Sequence, residues 1–337
     1  MKRLIYLIIF ASLFLLCRIS LAEDNIRVLM LDDPDSPLPS EKTERLGKLN
    51  GKIFFKGEAY TGSLEVRRDE KGLYIIDDLP FEKYIKGVVA SETGGGWEME
   101  ALKAQAVISR TYALFYKNLN KDKEYDLTSS VLHQVFKEDN INPQITRAVE
   151  GTWGEILMYE GNPAKTLYHS ICIGKTELPE EVWGGSYPYL KSVDCNSKNT
   201  PYDNWMREFT FDEIGKAVGI KGNVKDITIA SYTSTGRVKT LKITTGTAET
   251  ELEIRATDLR KYLGYKILPS TDFSLTKEAE IMPTGQAGVT FEGRGWGHGV
   301  GLCQWGALEM AREGKNYKEI LAHYYPGTNI GKQAVGD

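Results

Sequence analysis

The sequence predicts an α+β protein in which mostly antiparallel strands and several helices surround a central cleft. Short apolar–polar alternations interrupted by glycines occur at 53–76 and again at 225–255, and such runs are typical of antiparallel strands. Segments with helical spacing lie between and after them, and the strongest of these covers 97–117. This mixture of separate strand and helix runs favours α+β over a regular α/β alternation.

The main domain is expected over 51–333, with 200–265 as a small inserted subdomain. A polar, proline-containing segment at 23–50 precedes it and is interpreted as a lead-in. The elements are expected in this order: strands at 53–55, 63–66 and 73–76; helices at 79–89 and 97–117; a helix leading into strands at 146–170; strands at 227–230 and 238–243; and helices at 257–263 (with Thr257 as N-cap), 303–312 and 317–324.

The helix at 97–117 carries apolar side chains around nearly its whole circumference, which predicts burial on almost all sides. Lys103, Arg110 and Lys117 share one charged stripe. An uncharged polar stripe on another side begins with Gln105 and includes Tyr112. The uncharged stripe either lines a binding site or satisfies its own hydrogen bonds inside the core.

The composition bounds the class of protein. The chain has 337 residues, enough for a substantial hydrophobic core, and a formal net charge of -4. A slightly acidic chain without a basic run gives no support to a broad nucleic-acid surface, so no nucleic-acid partner is expected.

The N-terminus has the three parts of a secretory signal. Lys2 and Arg3 precede an uncharged apolar run at 4–16, and Ser20-Leu21-Ala22 supplies small residues before a cleavage position. We therefore expect a signal peptide over 1–22, cleaved after Ala22, and export to the periplasm or cell envelope. An uncleaved membrane anchor is the less favoured alternative, because the apolar run is shorter than the ~20 residues that a span needs.

Glu92 is the first candidate for chemistry. It follows the apolar Val88-Val89-Ala90 and precedes three glycines at 94–96. A carboxyl between an apolar wall and a glycine loop is partly desolvated, which raises its pKa towards the range that a general acid needs. Trp97, just beyond the glycines, offers a flat face to a sugar ring. The alternative is a surface glutamate beside a loop and a tryptophan in the core.

A second candidate is the segment 293–306, which has six glycines in fourteen residues and precedes a helix. It lacks the Lys-Ser/Thr of a phosphate-binding loop. The alternation of glycine with tryptophan and histidine is typical of a close-packed turn that lines a cleft, with His298 and Gln304 as its donors and acceptors. A purely structural chain crossing is the alternative.

A third candidate set is His169, Cys172 and Cys195. One imidazole and two thiols can hold zinc, but the spacing matches no standard zinc motif. A disulfide between the two cysteines is the alternative in an oxidising compartment.

Together these motifs closely resemble the stage II sporulation protein D family, also called the SpoIID/LytB domain. The resemblance runs in order from about residue 50 to the end of the chain. It rests on the following segments: Glu92 with 97–114, 168–172, 181–185, 234–237, 260–264, 295–307 and 320–327.

This resemblance implies a lytic transglycosylase that acts on peptidoglycan, in the best-known members on glycan strands without stem peptides. It places the family's catalytic glutamate at Glu92, and its helical arginine and tyrosine at Arg110 and Tyr112. Some members bind zinc near the segment that corresponds to 169–172. This chain has Ile171, Ile173 and Cys303 where many members have Thr, Gly and Ser, so we expect no required cofactor, with structural zinc as an option.

In the expected mechanism Glu92 protonates the oxygen between N-acetylmuramic acid and N-acetylglucosamine, and the muramic C6 hydroxyl closes onto C1 to leave a 1,6-anhydro end. Arg110, Tyr112, His298 and Gln304 would position the sugars. Peptidoglycan strands, and a cell-wall amidase or other wall hydrolase, are the expected partners. Two alternatives are a non-catalytic wall-binding module that enhances an amidase, and a zinc-dependent peptidase or amidase, which the few histidines disfavour.

Overall fold

The computed structural model describes residues 24–30, 38–40, 42–55, 58–93, 96–130, 133–197, 200, 202–220, 223–246, 251–281 and 285–333. The predicted signal peptide at 1–22 lies outside them. Within them no helix is both long enough and apolar enough to cross a membrane. Helices and mostly antiparallel strands occur in separate groups, which confirms the α+β class.

The first sheet contains five strands in the order β2-β3-β4-β1-β5. Their bounds are β1 Asn25–Met30, β2 Glu44–Phe55, β3 Glu58–Asp69, β4 Gly72–Pro80 and β5 Leu127–Ser129. All neighbours are antiparallel except β1 and β5. The prediction that 23–50 is only a lead-in is wrong, because β1 lies inside this sheet. Ile26 and Val28 are fully buried there, a short apolar alternation that the polar residues after it obscure.

Three helices pack beside this sheet: α1 Phe81–Thr93, α2 Met99–Leu119 and α3 Pro143–Gly151. Every residue of α2 from 104 to 113 is buried, which confirms the expected burial around the helix. Arg110 is among them, with no exposed surface. Its guanidinium donates from Nε and Nη2 to the two carboxylate oxygens of Glu82, at 2.7 and 2.8 Å. This bidentate pair joins α2 to α1.

Short elements complete the first half of the fold: β6 Glu155–Tyr159, β7 Asn162–Pro163, β8 Tyr168–His169, β9 Gly174–Lys175, α4 Pro179–Val182 and β10 Asp194–Cys195. A subdomain with its own core follows: β11 Trp205–Thr210, α5 Phe211–Ala217, β12 Val224–Tyr232, β13 Val238–Thr245, β14 Glu251–Arg255, α6 Ala256–Leu263, β15 Phe273–Ile281 and β16 Gln286–Gly293.

The subdomain extends past the predicted limit at residue 265. Its two antiparallel sheets are β12-β13-β14 and β11-β16-β15, and β16 returns to pair with β11. The second core accordingly runs from Trp205 to Phe291. Thr257 is not the N-cap of α6, since the helix begins at Ala256 and the cap position is Arg255. The predicted stop at Gly264 is confirmed, where φ is 101°.

The last elements are β17 Leu302–Cys303, α7 Gln304–Arg312, α8 Tyr317–Tyr324 and β18 Asn329–Lys332. Both predicted C-terminal helices are confirmed to within one residue. β17 pairs in parallel with β8, so Leu302 lies opposite Tyr168 and Cys303 opposite His169. This two-residue pairing joins two sequence motifs that are more than 130 residues apart.

Asp77 is a buried carboxylate within the first sheet. It has no exposed surface, and neither carboxylate oxygen has a hydrogen-bond partner in the described part of the chain. Burial raises the pKa of Asp77 to about 7; the nearby Glu138 adds to the rise and Lys83 opposes it.

We expect the Asp77→Asn variant to be more stable than the parent protein at pH 8, by on the order of 4 kcal/mol, and about equally stable at pH 4. Folded Asp77 keeps its proton to higher pH than unfolded Asp77, so its contribution to stability is lost as pH rises from about 4 to 7. Urea unfolding across this range measures the difference. Asp78→Asn, at a partly exposed neighbour that binds Asn25, is the control. Parallel pH profiles for parent and Asp77→Asn would contradict the expectation.

Candidate active site

A cavity of about 660 Å³ lies between the main domain and the subdomain. We call it the cleft. The main-domain wall comes from α1, α2 and β8, the other wall from α6 and the residues after it, and the 293–306 loop lies between them. The residues that line it include Glu92, Tyr112, Tyr116, His133, Lys165, Tyr168, His169, Trp183, Arg255, Thr257, Asp258, Lys261, Tyr265, Lys266, Trp296, His298 and Gln304.

Glu92 occupies the last turn of α1 and is partly exposed to the cleft. Its Oε1 accepts the Val135 N–H at 3.0 Å, and its Oε2 accepts Nε2 of Gln304 at 3.3 Å. Burial raises the pKa of Glu92, while these two hydrogen bonds and the Tyr168 hydroxyl oppose the rise. The carboxyl therefore holds its proton to higher pH than an ordinary glutamate. Gly94 and Gly95 lie outside the described residues.

Gln304 is held by the polar stripe of α2. Its Nε2 lies 3.4 Å from Oε1 of Gln105, and Nε2 of Gln105 donates to the Ser109 hydroxyl at 3.0 Å. Gln105 is buried behind Gln304 and does not line the cleft, whereas Tyr112 of the same stripe does. Gln105 thus orients the amide that binds Glu92 and is not placed to touch a ligand itself.

Besides Gln105, two more predicted substrate contacts, Arg110 and Trp97, are wrong in position. Arg110 is enclosed in the pair with Glu82, because two residues along a helix point to different sides and Tyr112 takes the cleft side. Trp97 packs edge-on against Trp305, with ring centroids 5.7 Å apart, and does not line the cleft.

The aromatic face in the cleft belongs instead to Trp183, which directly follows α4. Its side chain is half exposed, and its ring lies 4.9 Å from that of His298. Trp183 is part of the 181–185 segment that carries the family resemblance, but sequence reasoning gave it no role.

The 293–306 loop crosses closely over β8. Gly295, Gly297, Gly299 and Gly301 all have positive φ. A Cβ on Gly301 would lie 1.9 Å from the carbonyl oxygen of Leu167. Only glycine meets both demands at this position. The loop is therefore the close-packed turn that the sequence predicted, and it also lines the cleft.

His298 lies at the tip of this loop. Its Nδ1 accepts the Val300 N–H at 3.0 Å, which leaves the proton of the neutral ring on Nε2. Burial lowers the pKa of His298 well below its usual value, and His169 and Arg260 lower it further. His298 is thus a neutral ring beside Trp183 in the cleft.

A cluster of metal-ligating side chains lies at the base of the loop. The donor atoms of His169, Cys172 and Cys303 all lie within 4.8 Å of one another, and the three residues are buried. Nδ1 of His169 lies 3.2 Å from the Val300 carbonyl, while its Nε2 is buried without a partner among the described residues. An orphaned imidazole nitrogen facing two thiols fits zinc.

Cys303, which the predicted set of His169, Cys172 and Cys195 lacked, belongs to this cluster. The Cys195 thiol adjoins it: it interacts with the thiols of Cys172 and Cys303, and its sulfur lies 3.5 Å from the Tyr324 hydroxyl. Cys172, Cys195 and Cys303 are free thiols in the structure. Cys303 entered the sequence comparison only as a departure from the family, so spacing gave no reason to group it with His169.

Sequence reasoning missed two further side chains of the main-domain wall. The Tyr168 hydroxyl is buried beside Glu92, and its interaction with the carboxyl opposes the rise in the pKa of Glu92. His133 also lines the cleft, and burial lowers its pKa to about 4. For Tyr168 the one available signal in the sequence was its position next to His169. For His133 the sequence offered no signal.

We expect Gly301→Ala to lower Tm by at least about 5 °C, because positive φ and the clash with Leu167 act together. Gly314→Ala is the matched control: its φ is +87° and a Cβ there meets nothing within 4 Å. Backbone strain alone should lower its Tm by roughly 2 °C. Thermal unfolding by circular dichroism measures both. Equal shifts would mean that the close crossing over β8 is not needed for stability.

Comparisons with known proteins agree with this architecture. Residues 69–159 match a family model described as stage II sporulation protein, SpoIID. Residues 189–301 match a model described only as a domain of unknown function. The chain is 34% identical to an uncharacterised protein of Brachyspira hyodysenteriae, over 81% of this chain and 73% of that protein.

Two Bacillus subtilis proteins are also similar. The chain is 32% identical to stage II sporulation protein D, over 76% of each chain. It is 27% identical to a protein named amidase enhancer, over 73% of this chain and 40% of that protein.

Proposed function

The chain belongs to the stage II sporulation protein D family, and on that premise we propose that it is a lytic transglycosylase of peptidoglycan. The bond cleaved is the one between N-acetylmuramic acid and N-acetylglucosamine. The observation that carries the proposal is Glu92: a carboxyl with a raised pKa, facing a cleft of sugar size. Among the described residues that line the cleft, the other carboxylate is Asp258, which Arg255 binds at 2.8 and 3.1 Å.

One acid without a free second carboxylate favours internal ring closure over hydrolysis. A hydrolase needs a second carboxylate as nucleophile or as base for water. Here protonated Glu92 gives its proton to the glycosidic oxygen as the bond to muramic C1 breaks. The C6 hydroxyl then bonds to C1, and its proton returns to the Glu92 carboxylate. The product is a 1,6-anhydro-muramic end, and the enzyme recovers its starting state.

The other cleft side chains support this step by orientation. The Gln304 amide donates to Oε2 of Glu92 and fixes the carboxyl in place. Each carboxyl oxygen can accept a second hydrogen bond, so the group can still reach the sugar. The hydroxyls of Tyr168, beside Glu92, and of Tyr112 supply neutral donors in the cleft. The half-exposed Trp183 offers a face on which a sugar ring can pack.

Family membership and the similarity to an amidase enhancer support a role at the cell wall. We propose that the chain is exported and acts on glycan strands there, in association with another wall hydrolase. The alternative is a module that enhances an amidase without cutting glycan, which the 27% identity to the protein of that name favours.

We expect Glu92→Gln to lower the release of anhydro-muramic products from purified glycan by about 10²–10⁴-fold, because the amide has no proton of suitable acidity to donate. Mass spectrometry of the digest measures the products. Glu98→Gln is the control, since Glu98 is exposed and lies outside the cleft.

The same digest separates the alternatives. Reducing ends formed with water would identify a hydrolase. The enhancer role would replace the proposal if the parent protein released no glycan product and its stimulation of an amidase were unchanged by Glu92→Gln.

We also propose a structural zinc ion held by His169, Cys172 and Cys303. Bound there, zinc would link the strand β8 region to the base of the 293–306 loop and contribute free energy of folding. The Cys195 thiol, which interacts with Cys172 and Cys303, is the candidate for the fourth ligand of a closed structural site. No step of the cleavage reaction depends on this ion.

We expect the purified chain to retain about one zinc per molecule after dialysis, and Cys303→Ser to lose it. Cys195→Ser tests the fourth position: this variant should retain zinc if only His169, Cys172 and Cys303 bind the ion. Elemental analysis gives the content, and the thiolate-to-metal absorption of the cobalt form reports the ligands. Equal loss in both variants would restore Cys195 as a ligand, and no retained metal in the parent would remove the site.

A further inference from the structure

The cleft carries a charge opposite to that of the chain as a whole. The formal net charge is -4, yet the α6 side of the cleft presents Arg255, Lys261 and Lys266. Asp258 is already bound to Arg255, so it neutralises neither lysine. A concave surface that keeps unpaired positive charges in an acidic protein concentrates anions.

Lys261 and Lys266 are both exposed, and neither forms an ion pair with any residue that the structure describes. They are carried on a fixed support. Arg260, which precedes Lys261 in α6, is buried and donates from Nε to the Leu268 carbonyl at 2.8 Å. Its guanidinium also lies 5.0 Å from the centre of the Tyr265 ring. These contacts hold the end of α6 against the segment that bears Lys266.

The opposite wall adds a third unpaired cation, after Lys261 and Lys266. Lys165 lines the cleft from the main domain, with its ammonium 5.4 Å from the Tyr187 ring and 5.8 Å from the Tyr116 ring. It too makes no ion pair within the described ranges. The aromatic rings hold the ammonium in place without neutralising its charge. Anionic groups in the cleft therefore meet cations from both sides.

We propose that Lys261 and Lys266 form a carboxylate-binding subsite of the cleft, which takes the acidic groups of a glycan strand. The proposal rests on the proposed function for the identity of the glycan. It adds a binding role for the subdomain: Glu92 acts from one wall, and the α6 wall selects charged sugars. The pairing of an ammonium with a carboxylate also aligns the strand along the cleft.

Two carboxylate sources exist in such a strand. A muramic residue without a stem peptide has a free lactyl carboxylate, whereas in an intact residue that carboxyl is an amide and the charge sits on the peptide. Both sources offer a carboxylate to the lysines, but they hold it at different distances from the sugar backbone. The experiment below distinguishes them.

The test measures binding in the Glu92→Gln background, so that no strand is cut. Three probes are used: peptide-free glycan strands, the same strands with lactyl carboxylates converted to methylamides, and strands with stem peptides. We expect Lys261→Gln/Lys266→Gln to weaken binding of a carboxylate-bearing probe about tenfold and binding of the methylamide strands less than about twofold. Added salt should weaken the binding of the carboxylate-bearing probe and leave the binding of the methylamide strands unchanged.

Lys216→Gln on α5 is the matched control, since this exposed lysine belongs to the same subdomain but not to the cleft. Circular dichroism checks that the double variant is folded, and single lysine variants serve if it is not. Lysine dependence with peptide-free strands identifies the lactyl carboxylate, and dependence with peptide-bearing strands alone identifies the stem peptide. No effect of the lysine substitutions on the binding of any probe overturns the subsite.

Cleavage assays with Glu92 intact separate this result from the proposed function. Anhydro products combined with lysine-independent binding would end the subsite and leave the lytic activity. Lysine-dependent binding without any glycan product would support the subsite and end the lytic activity.

Discussion

The parallel pairing of β8 with β17 is the constraint on which the rest of the site depends. Only two residues of each strand pair, yet they bring Tyr168 and His169 against Leu302 and Cys303. The approach is so close that Gly301 has no room for a side chain. From this junction α7 starts at once, and its first residue is the glutamine that binds Glu92. A shift of this pairing by one residue would move the glutamine, the imidazole and the thiol together.

The main domain separates stability from chemistry along one helix. On one side of α2, Arg110 and Glu82 form a buried, bidentate ion pair, which is costly to break because either partner alone would be an uncompensated charge. On another side, Gln105 and Tyr112 carry only neutral polar groups towards the cleft. Neutral neighbours leave the Glu92 proton in place, whereas a cation there would remove it. The Arg110 charge therefore lies in the core, away from Glu92.

The groups that contact Glu92 differ from the rest of the cleft in charge. They are the Val135 N–H, the Gln304 amide and the Tyr168 hydroxyl, all neutral, which fits an acid that must hold its proton. The cations are Lys165 among its aromatic rings and Lys261 and Lys266 of the subdomain wall. Positive charge there can attract an anionic strand without acting directly on the catalytic carboxyl. The subdomain is thus part of the site, although its core is separate.

Periodicity and local turn chemistry predicted much of this protein from the sequence. The burial of α2, the bounds of α7 and α8, and the glycine crossing at 293–306 depend on neighbours within a few residues, which a sequence displays directly. β1 was not predicted, because a six-residue strand next to a polar stretch gives only a weak apolar–polar alternation. The predicted subdomain ended too early, at residue 265, because β16 returns from far along the chain to pair with β11.

The sequence by itself determined which residue types were available: an acid after an apolar run, a glycine loop with a histidine, and three thiols. Tertiary structure alone decided which of them meet. Cys303 lies beside His169, and Arg110 is buried in the core. Trp183, and not Trp97, lines the cleft, and the α6 lysines lie on the wall opposite Glu92. These contacts join residues that are tens to hundreds of positions apart, and only chain packing fixes such distances.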